Sequence, residues 1–166
     1  MIAPVRLTPA DWRAYRDLRL AALAESPTAF GSRHADEARL DEARWRARLA
    51  EDRVTYAMTA GPQDWCALAS GVPDEDGRPI VWVVSMWVAP DRRGLGLAAG
   101  LIELIADRAA ESGAAELRLH VTSNNVAARR VYERVGFVAT GQTLPHDHDP
   151  TLHEVEMSRP VVDPTA

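Results

Sequence analysis

Apolar positions recur along the chain in two alternating registers, and the switches between them outline its elements. Ile2–Leu7 reads as a short strand. Thr8-Pro9-Ala10-Asp11 then opens a helix, with a threonine cap, proline at the first position and an acid in the first turn. Trp12, Tyr15, Leu18 and Ala22 follow at helical spacing, and Ser26-Pro27 ends the run. Thr28–Ala35 reads as a loop, and a second helix is predicted over Arg39–Glu51, with Trp45 and Leu49 one turn apart. Arg53–Ala60 and Asp64–Gly71 are predicted strands separated by Gly61-Pro62, and Asp76-Gly77 suits a hairpin turn. Ile80–Val88 is apolar on both faces, which predicts a central strand covered on each side.

Beyond Ala89–Gly94 the pattern predicts a helix of about five turns to Ser112. Its buried stripe is expected at Leu97, Leu101, Leu104, Ile105 and the stem of Arg108, with Gly113 as the stop. Glu116–Val121 is a strand, and Asn124 or Asn125 caps a helix ending at Gly136 that turns Ala128, Val131, Tyr132 and Val135 to one side. Phe137–Gln142 and Leu152–Met157 are the last strands, joined by a polar loop. The order is β-α-α-β-β-β-α-β-α-β-β. This is an α/β (α+β) class fold: a mixed, mostly antiparallel central sheet flanked by helices, with a strand–helix–strand crossover in its second half. Residues 1–160 are expected to form a single domain, and 161–166 a frayed tail.

Composition narrows the chemistry. The 166 residues are 46% hydrophobic, enough for one core. The net charge of −5 argues against a nucleic-acid binder. All 19 basic residues are arginine, so lysine-dependent chemistry is excluded. From Ala89 to Gly136 seven arginines face six acids, so the negative excess lies elsewhere; one region suits an anion and the remainder a cation. The single cysteine, Cys66, excludes an internal disulfide or a cysteine metal cluster and reads as a core residue. The longest apolar run is too short to span a bilayer, and Met1–Arg6 lacks the pattern of a secretory signal, so no membrane association and a cytoplasmic location are expected.

The predicted central strand runs into Arg93-Gly94-Leu95-Gly96-Leu97-Ala98 and then at once into a helix. A helix start offers unpaired N–H groups at the positive end of its dipole, and glycines let a phosphate approach them. With Arg92 and Arg93 alongside, the turn suits a pyrophosphate, although a glycine turn kept for packing would look the same. A Walker loop is excluded by the absence of lysine. A dinucleotide fingerprint is excluded because Leu97-Ala98-Ala99 follows Gly96 where a third glycine is required.

The segment Val88–Ala98 resembles motif A of the GNAT family of N-acetyltransferases, whose signature Arg/Gln-x-x-Gly-x-Gly/Ala is met by Arg93, Gly96 and Ala98. Further on, Asn125, Ala128, Tyr132, Gly136 and Phe137 match the same family's motif B, Asn-x-x-Ala-x-x-x-Tyr-x-x-x-Gly-Phe. The resemblance is strong over residues 80–142 and rests on pattern alone over 1–60. It implies acetyl-CoA as cosubstrate, an amine as acceptor and direct transfer without a covalent intermediate. Trp87, Val88, Arg93, Gly94, Leu95, Gly96, Leu97, Ala98, Asn125 and Ala128 would bind the cofactor, with the N–H of Val88 or Trp87 on the acetyl carbonyl, and Ser85, Met86 and Trp87 would line the acetyl site. Tyr132 would be the general acid, since a phenol keeps its proton at neutral pH. Homodimers are common in the family.

The resemblance fails at one point. Many relatives carry a glutamate on the central strand, and Ile80–Val88 holds no carboxylate. His120, on the next strand, is the best substitute as base, because histidine changes charge near neutral pH; a partly buried strand histidine is the alternative. His146-Asp147-His148-Asp149, with His153 nearby, invites a metal reading, but between Pro145 and Pro150 a polar loop is the simpler account and no metal is expected. In relatives this loop and the first two helices wall the acceptor site, which would bring His146, Asp147 and Asp149 to the acceptor. The expected activity is acetyl transfer to a primary amine of a small molecule or protein N-terminus, the acidic remainder of the chain favouring a cationic acceptor. The competing reading is an acetyl-CoA-binding sensor without turnover.

Overall fold

The computed structural model describes residues 1–50 and 52–162. Seven strands form one sheet in the order β1-β2-β3-β4-β5-β7-β6. β1 (Ala3–Leu7), β2 (Val54–Thr59), β3 (Trp65–Pro73) and β4 (Ile80–Val88) are successive antiparallel neighbours. β5 (Glu116–Thr122) lies parallel to β4 after a crossover through α4 (Leu97–Glu111). α5 (Val126–Arg134) leads to β6 (Val138–Pro145) at the edge, and β7 (His153–Pro160) returns between β6 and β5. β4 is central, as its two-sided apolar pattern requires.

Two cores cover the sheet. α4 and α5 pack on one face over Leu101, Ile102, Ile105, Leu117, Leu119 and Phe137. α1 (Trp12–Glu25) and its successors pack on the other over Tyr15, Leu18, Trp45, Leu68 and Trp87. The predicted start holds as a helical turn, Pro9–Asp11, that runs into α1: the Asp11 carboxylate accepts from the Thr8 N–H and from its hydroxyl, both at 2.8 Å, and Trp12, Tyr15, Leu18 and Ala22 are buried.

Four expectations shift. The loop predicted over Thr28–Ala35 holds a helical turn, Pro27–Ala29, and the first residues of α2 (His34–Glu37). The helix predicted over Arg39–Glu51 contracts to α3 (Glu42–Ala47), because the Asp41 side chain caps it by accepting from the Arg44 N–H at 2.9 Å; the predicted end, Glu51, lies outside the described residues. Trp45 and Leu49 are nonetheless both buried, with Trp45 set edge-on to Tyr15 at 5.7 Å. The stripe on α4 rotates toward small residues: Ile102, Ala106 and Ala109 are buried with Leu101 and Ile105, while Leu97, Leu104 and Arg108 sit at its margins. Close approach of α4 to the sheet selects that face, since a Cβ on Gly100 would meet Met58 at 3.2 Å. The predicted tail is tied down at its start by Val161, whose N–H donates to the Ala115 carbonyl at 2.8 Å; residues 163–166 lie outside the described residues.

The feature that makes the site is a break in the sheet. β4 and β5 pair only at Ile80–Glu116, Val81–Leu117 and Trp82–Arg118 and then part. Against β3, Leu68 pairs with Trp87 but Ser70 with Val84, so β4 carries one extra residue. Ser85 absorbs it at φ +59°, a β-bulge that bends β4 away from β5.

Candidate active site

The parted strands, the start of α4 and one side of α5 enclose a cavity of about 710 Å³. Between β4 and α4 the chain makes a helical turn, Pro90–Arg92, and then passes through Gly94 (φ +81°) and Gly96 (φ +77°). Both are left-handed positions that a side chain would strain, which is why the turn needs glycine. The first intrahelical bond of α4 runs from the Gly100 N–H to the Gly96 oxygen at 3.0 Å, so the N–H groups of Leu97, Ala98 and Ala99 precede it and are left to a ligand. Gly94, Gly96, Leu97, Ala98 and Arg93 all line the cavity, as do Trp87, Val88, Asn125, Ala128, Tyr132 and His120. Leu95 is the predicted cofactor residue the structure leaves out: its side chain is 61% exposed and lies off the cavity wall.

Backbone direction distinguishes Val88 from Trp87. The Ala89 N–H donates to the Cys66 carbonyl of β3 at 2.8 Å. Successive N–H groups of a strand alternate sides, so that of Val88 is directed to the side where β5 has parted. The Val88 carbonyl, on that same side, accepts from Arg93 Nε at 3.0 Å. Arg93 Nη2 also reaches Glu25 at 2.8 Å, and Trp87 Nε1 donates to the same carboxylate at 2.8 Å. The Ser26 hydroxyl above all, joined by Trp87 and Arg93 and opposed by burial, holds Glu25 below the usual carboxylate range. The end of α1 is thus fastened to the phosphate-side turn.

α5 owes its start to Asn125, whose side chain accepts from the Ala128 N–H at 3.2 Å. One and two turns on, α5 turns Ala128 and Tyr132 into the cavity wall. Tyr132 is buried against Phe137, ring centroids 6.0 Å apart, and burial pushes its phenol well above the ordinary tyrosine value. The proton therefore stays on the oxygen at neutral pH. His120 stacks on Trp82 at 4.9 Å and lies 3.7 Å from Glu156 on β7.

Some predicted residues have other duties. Ser85 does not line the cavity: its hydroxyl accepts from Arg19 Nη1 at 3.0 Å, and Arg19 forms a two-pronged buried pair with Glu37 at 2.9 and 3.0 Å. Cys66 is 1% exposed, donates to the Met58 carbonyl, and has its thiol pushed up by burial, so it is no nucleophile. His146 Nε2 bonds the Thr28 carbonyl at 2.8 Å while its Nδ1 accepts from the N–H groups of His148 and Asp149. His148 is likewise divided between the Gly31 carbonyl and Arg33. His146 Nε2 and both nitrogens of His148 clamp the β6–β7 loop to the segment after α1, while His146 Nδ1 braces the loop internally.

Sequence reasoning did not find Glu156, Glu25 or Arg19. Nothing local marks them; each acquires meaning from a partner on a distant element.

The pattern of the acetyltransferase (GNAT) family matches residues 15–137. The chain belongs to that family. Membership makes it an acetyl-CoA-dependent N-acetyltransferase. The GNAT fold also recurs in solved structures. The ribosomal-protein-S18-alanine N-acetyltransferase of Escherichia coli superposes with a TM-score of 0.71 at 20% identity, over 97% of this chain and 94% of that one. yncA from Salmonella typhimurium, solved with its cofactor acetyl-CoA, does so at 0.77 and 20% identity, over 100% and 97%. Nourseothricin acetyltransferase matches at 0.62 and 26% identity, over 68% and 67%. No curated protein matches the chain in sequence. Among the described residues no helix of this acetyltransferase is long and apolar enough to cross a membrane.

Proposed function

We propose that this acetyltransferase moves an acetyl group from acetyl-CoA directly to a primary amine of a small molecule or protein N-terminus, with Tyr132 as the acid and His120 as the base. One observation carries the reading: the first residues of α4, Val88, Tyr132 and His120 all border one cavity. The pyrophosphate of the donor lies on the glycine turn beside Arg93, and its pantetheine arm runs between the parted strands past Asn125 and Ala128. The Val88 N–H polarises the acetyl carbonyl, the position from which it can also stabilise the oxyanion that forms there.

The acceptor arrives as an ammonium ion at neutral pH and must lose a proton to react. His120 takes it. The nitrogen lone pair then attacks the carbonyl carbon, the C–S bond breaks, and the sulfur takes up the negative charge. Tyr132 meets that charge first with a hydrogen bond and then with its proton, and the second proton, given up by the new amide nitrogen, restores the phenol. No residue becomes acylated, in keeping with the engaged Ser85 and the buried Cys66. An acceptor of cationic character fits the negative balance of the chain outside residues 89–136. A cytoplasmic location and a homodimeric state complete the reading; fractionation and light scattering check them.

Thiol release from acetyl-CoA across a panel of primary amines and peptides tests the activity. Amine-dependent release is expected, and Tyr132→Phe is expected to lower kcat by about a hundredfold while leaving acetyl-CoA affinity in place. Acetyl-CoA binding with no release from any amine would make the chain a sensor instead.

A further inference from the structure

We propose that Glu156 is a positioning residue for the reaction: its buried carboxylate orients His120 and stabilises the imidazolium formed when the acceptor is deprotonated. This rests on the reading of His120 as the base. β4 offers no carboxylate over Ile80–Val88, and here a carboxylate on β7 stands beside His120 instead.

The antiparallel register of β5 and β7 sets Glu156 directly opposite His120, close enough for the two side chains to meet. Glu156 is only 8% exposed, and a buried carboxylate demands partners. Its Oε1 is held by the Thr140 hydroxyl at 2.9 Å and by Arg118 Nη1 at 3.5 Å. Its Oε2 faces His120 Nε2 at 3.7 Å. Arg118 gives its closer contacts to Glu116, at 2.6 and 3.1 Å, so it neutralises Glu156 only in part. On the β4 side the imidazole meets Trp82, at an interplanar angle of 21°, and the indole is itself fixed by a 2.8 Å bond to Asp74. The charged groups around His120 are thus Glu156 on β7, Arg118 and Glu116 on its own strand, and Asp74 behind Trp82 with Arg78 paired to it and felt by Glu156.

In this proposal the Glu156 charge, 3.7 Å from Nε2, favours the neutral tautomer that keeps its proton on Nε2 and leaves the Nδ1 lone pair for the acceptor. The proton passes from the acceptor nitrogen to Nδ1, the positive ring is held beside the carboxylate, and the proton then leaves to solvent. No oxidant or further reactant is involved.

Histidine NMR titration reads this without an acceptor. The chain has five histidines, and His120→Gln identifies the His120 signal. In Glu156→Gln the His120 midpoint is expected to fall, the loss of a neighbouring opposite charge, and in Glu156→Asp to recover part of the fall. An unmoved midpoint overturns the proposal. Should Glu156→Gln fail to fold, Arg118→Gln tests the same pair with the opposite sign: the midpoint rises, and no change is again fatal. With a reactive amine, the acid limb of kcat/KM should follow the titration while acetyl-CoA affinity stays constant. If that limb persists in His120→Gln, His120 is not the base. If it vanishes in His120→Gln but is unmoved by Glu156→Gln, the base stands and the role of Glu156 does not.

Discussion

Single residues carry this protein's chemistry through backbone geometry as much as through side chains. Gly96 is the clearest case. It caps α4 in the left-handed region, and a Cβ placed there would meet nothing within 4 Å. Substitution is therefore a matter of local strain and of what the side chain brings to the anion site, not of a clash. Gly96→Glu puts a negative charge where the donor pyrophosphate is proposed to sit, and isothermal calorimetry should show acetyl-CoA affinity falling by about a hundredfold, or ~2.7 kcal/mol. Circular dichroism should still report a folded protein, since a residue forced into this conformation costs only about 1–2 kcal/mol. Unchanged affinity would reduce the turn to a packing device. The turn and motif B were legible in the sequence because their meaning is local: a glycine needs no distant partner to adopt φ +77°. Glu156 was not legible, because a carboxylate in Leu152–Met157 looks like any strand polar residue until β7 is laid against β5.

At the scale of elements, the site exists because one strand is longer than its neighbour allows. The extra residue at Ser85 parts β4 from β5, and the ion pair of Arg19 with Glu37 secures the bulge through the Ser85 hydroxyl. α4 supports the opening from the other face and must lie close to β3 to do so. A Cβ on Gly71 would stand 2.9 Å from Ile105 and 3.1 Å from Val54. Gly71→Ala is therefore expected to overpack that contact and to cost about 1–3 kcal/mol in urea denaturation. A neutral result would mean that α4 can shift on the sheet. Apart from α2, the kind and order of the elements were readable from periodicity, as was the start of α5 from its asparagine cap. The stripe of α4 was misjudged because periodicity ranks residues by apolar size, whereas the sheet chose the small residues that let the backbone approach. α3 was drawn too long because the Asp41 cap, which resets its start, competes with a helical pattern that begins earlier.

Charge as well as packing fastens the helices on each face of the molecule. Glu37 is 3% exposed, and Arg19 and Arg48 hold its carboxyl below the usual range against the opposing effect of burial. Glu103 is held low in the same sense by Arg159, which ties α4 to β7. A carboxylate whose folded value is depressed contributes stability that is fully present above its unfolded value, about pH 4.3, and is lost as pH falls through the lower folded one. Chemical denaturation should thus give a midpoint that is flat above about pH 5 and falls below about pH 4. Glu37→Gln should flatten that fall while costing about 3 kcal/mol at neutral pH, since it leaves buried arginine charge unpaired. A steep acid transition that survives the substitution would assign it to other groups. By itself the sequence determined the fold class, the family and acetyl-CoA as the cosubstrate, because periodicity, caps and glycine turns act over a few residues. Tertiary structure alone decided where the sheet opens, that Arg19 stands behind Ser85 and that Glu156 stands behind His120. Those are encounters between strands and helices far apart in the chain, fixed by register and packing that no local pattern encodes.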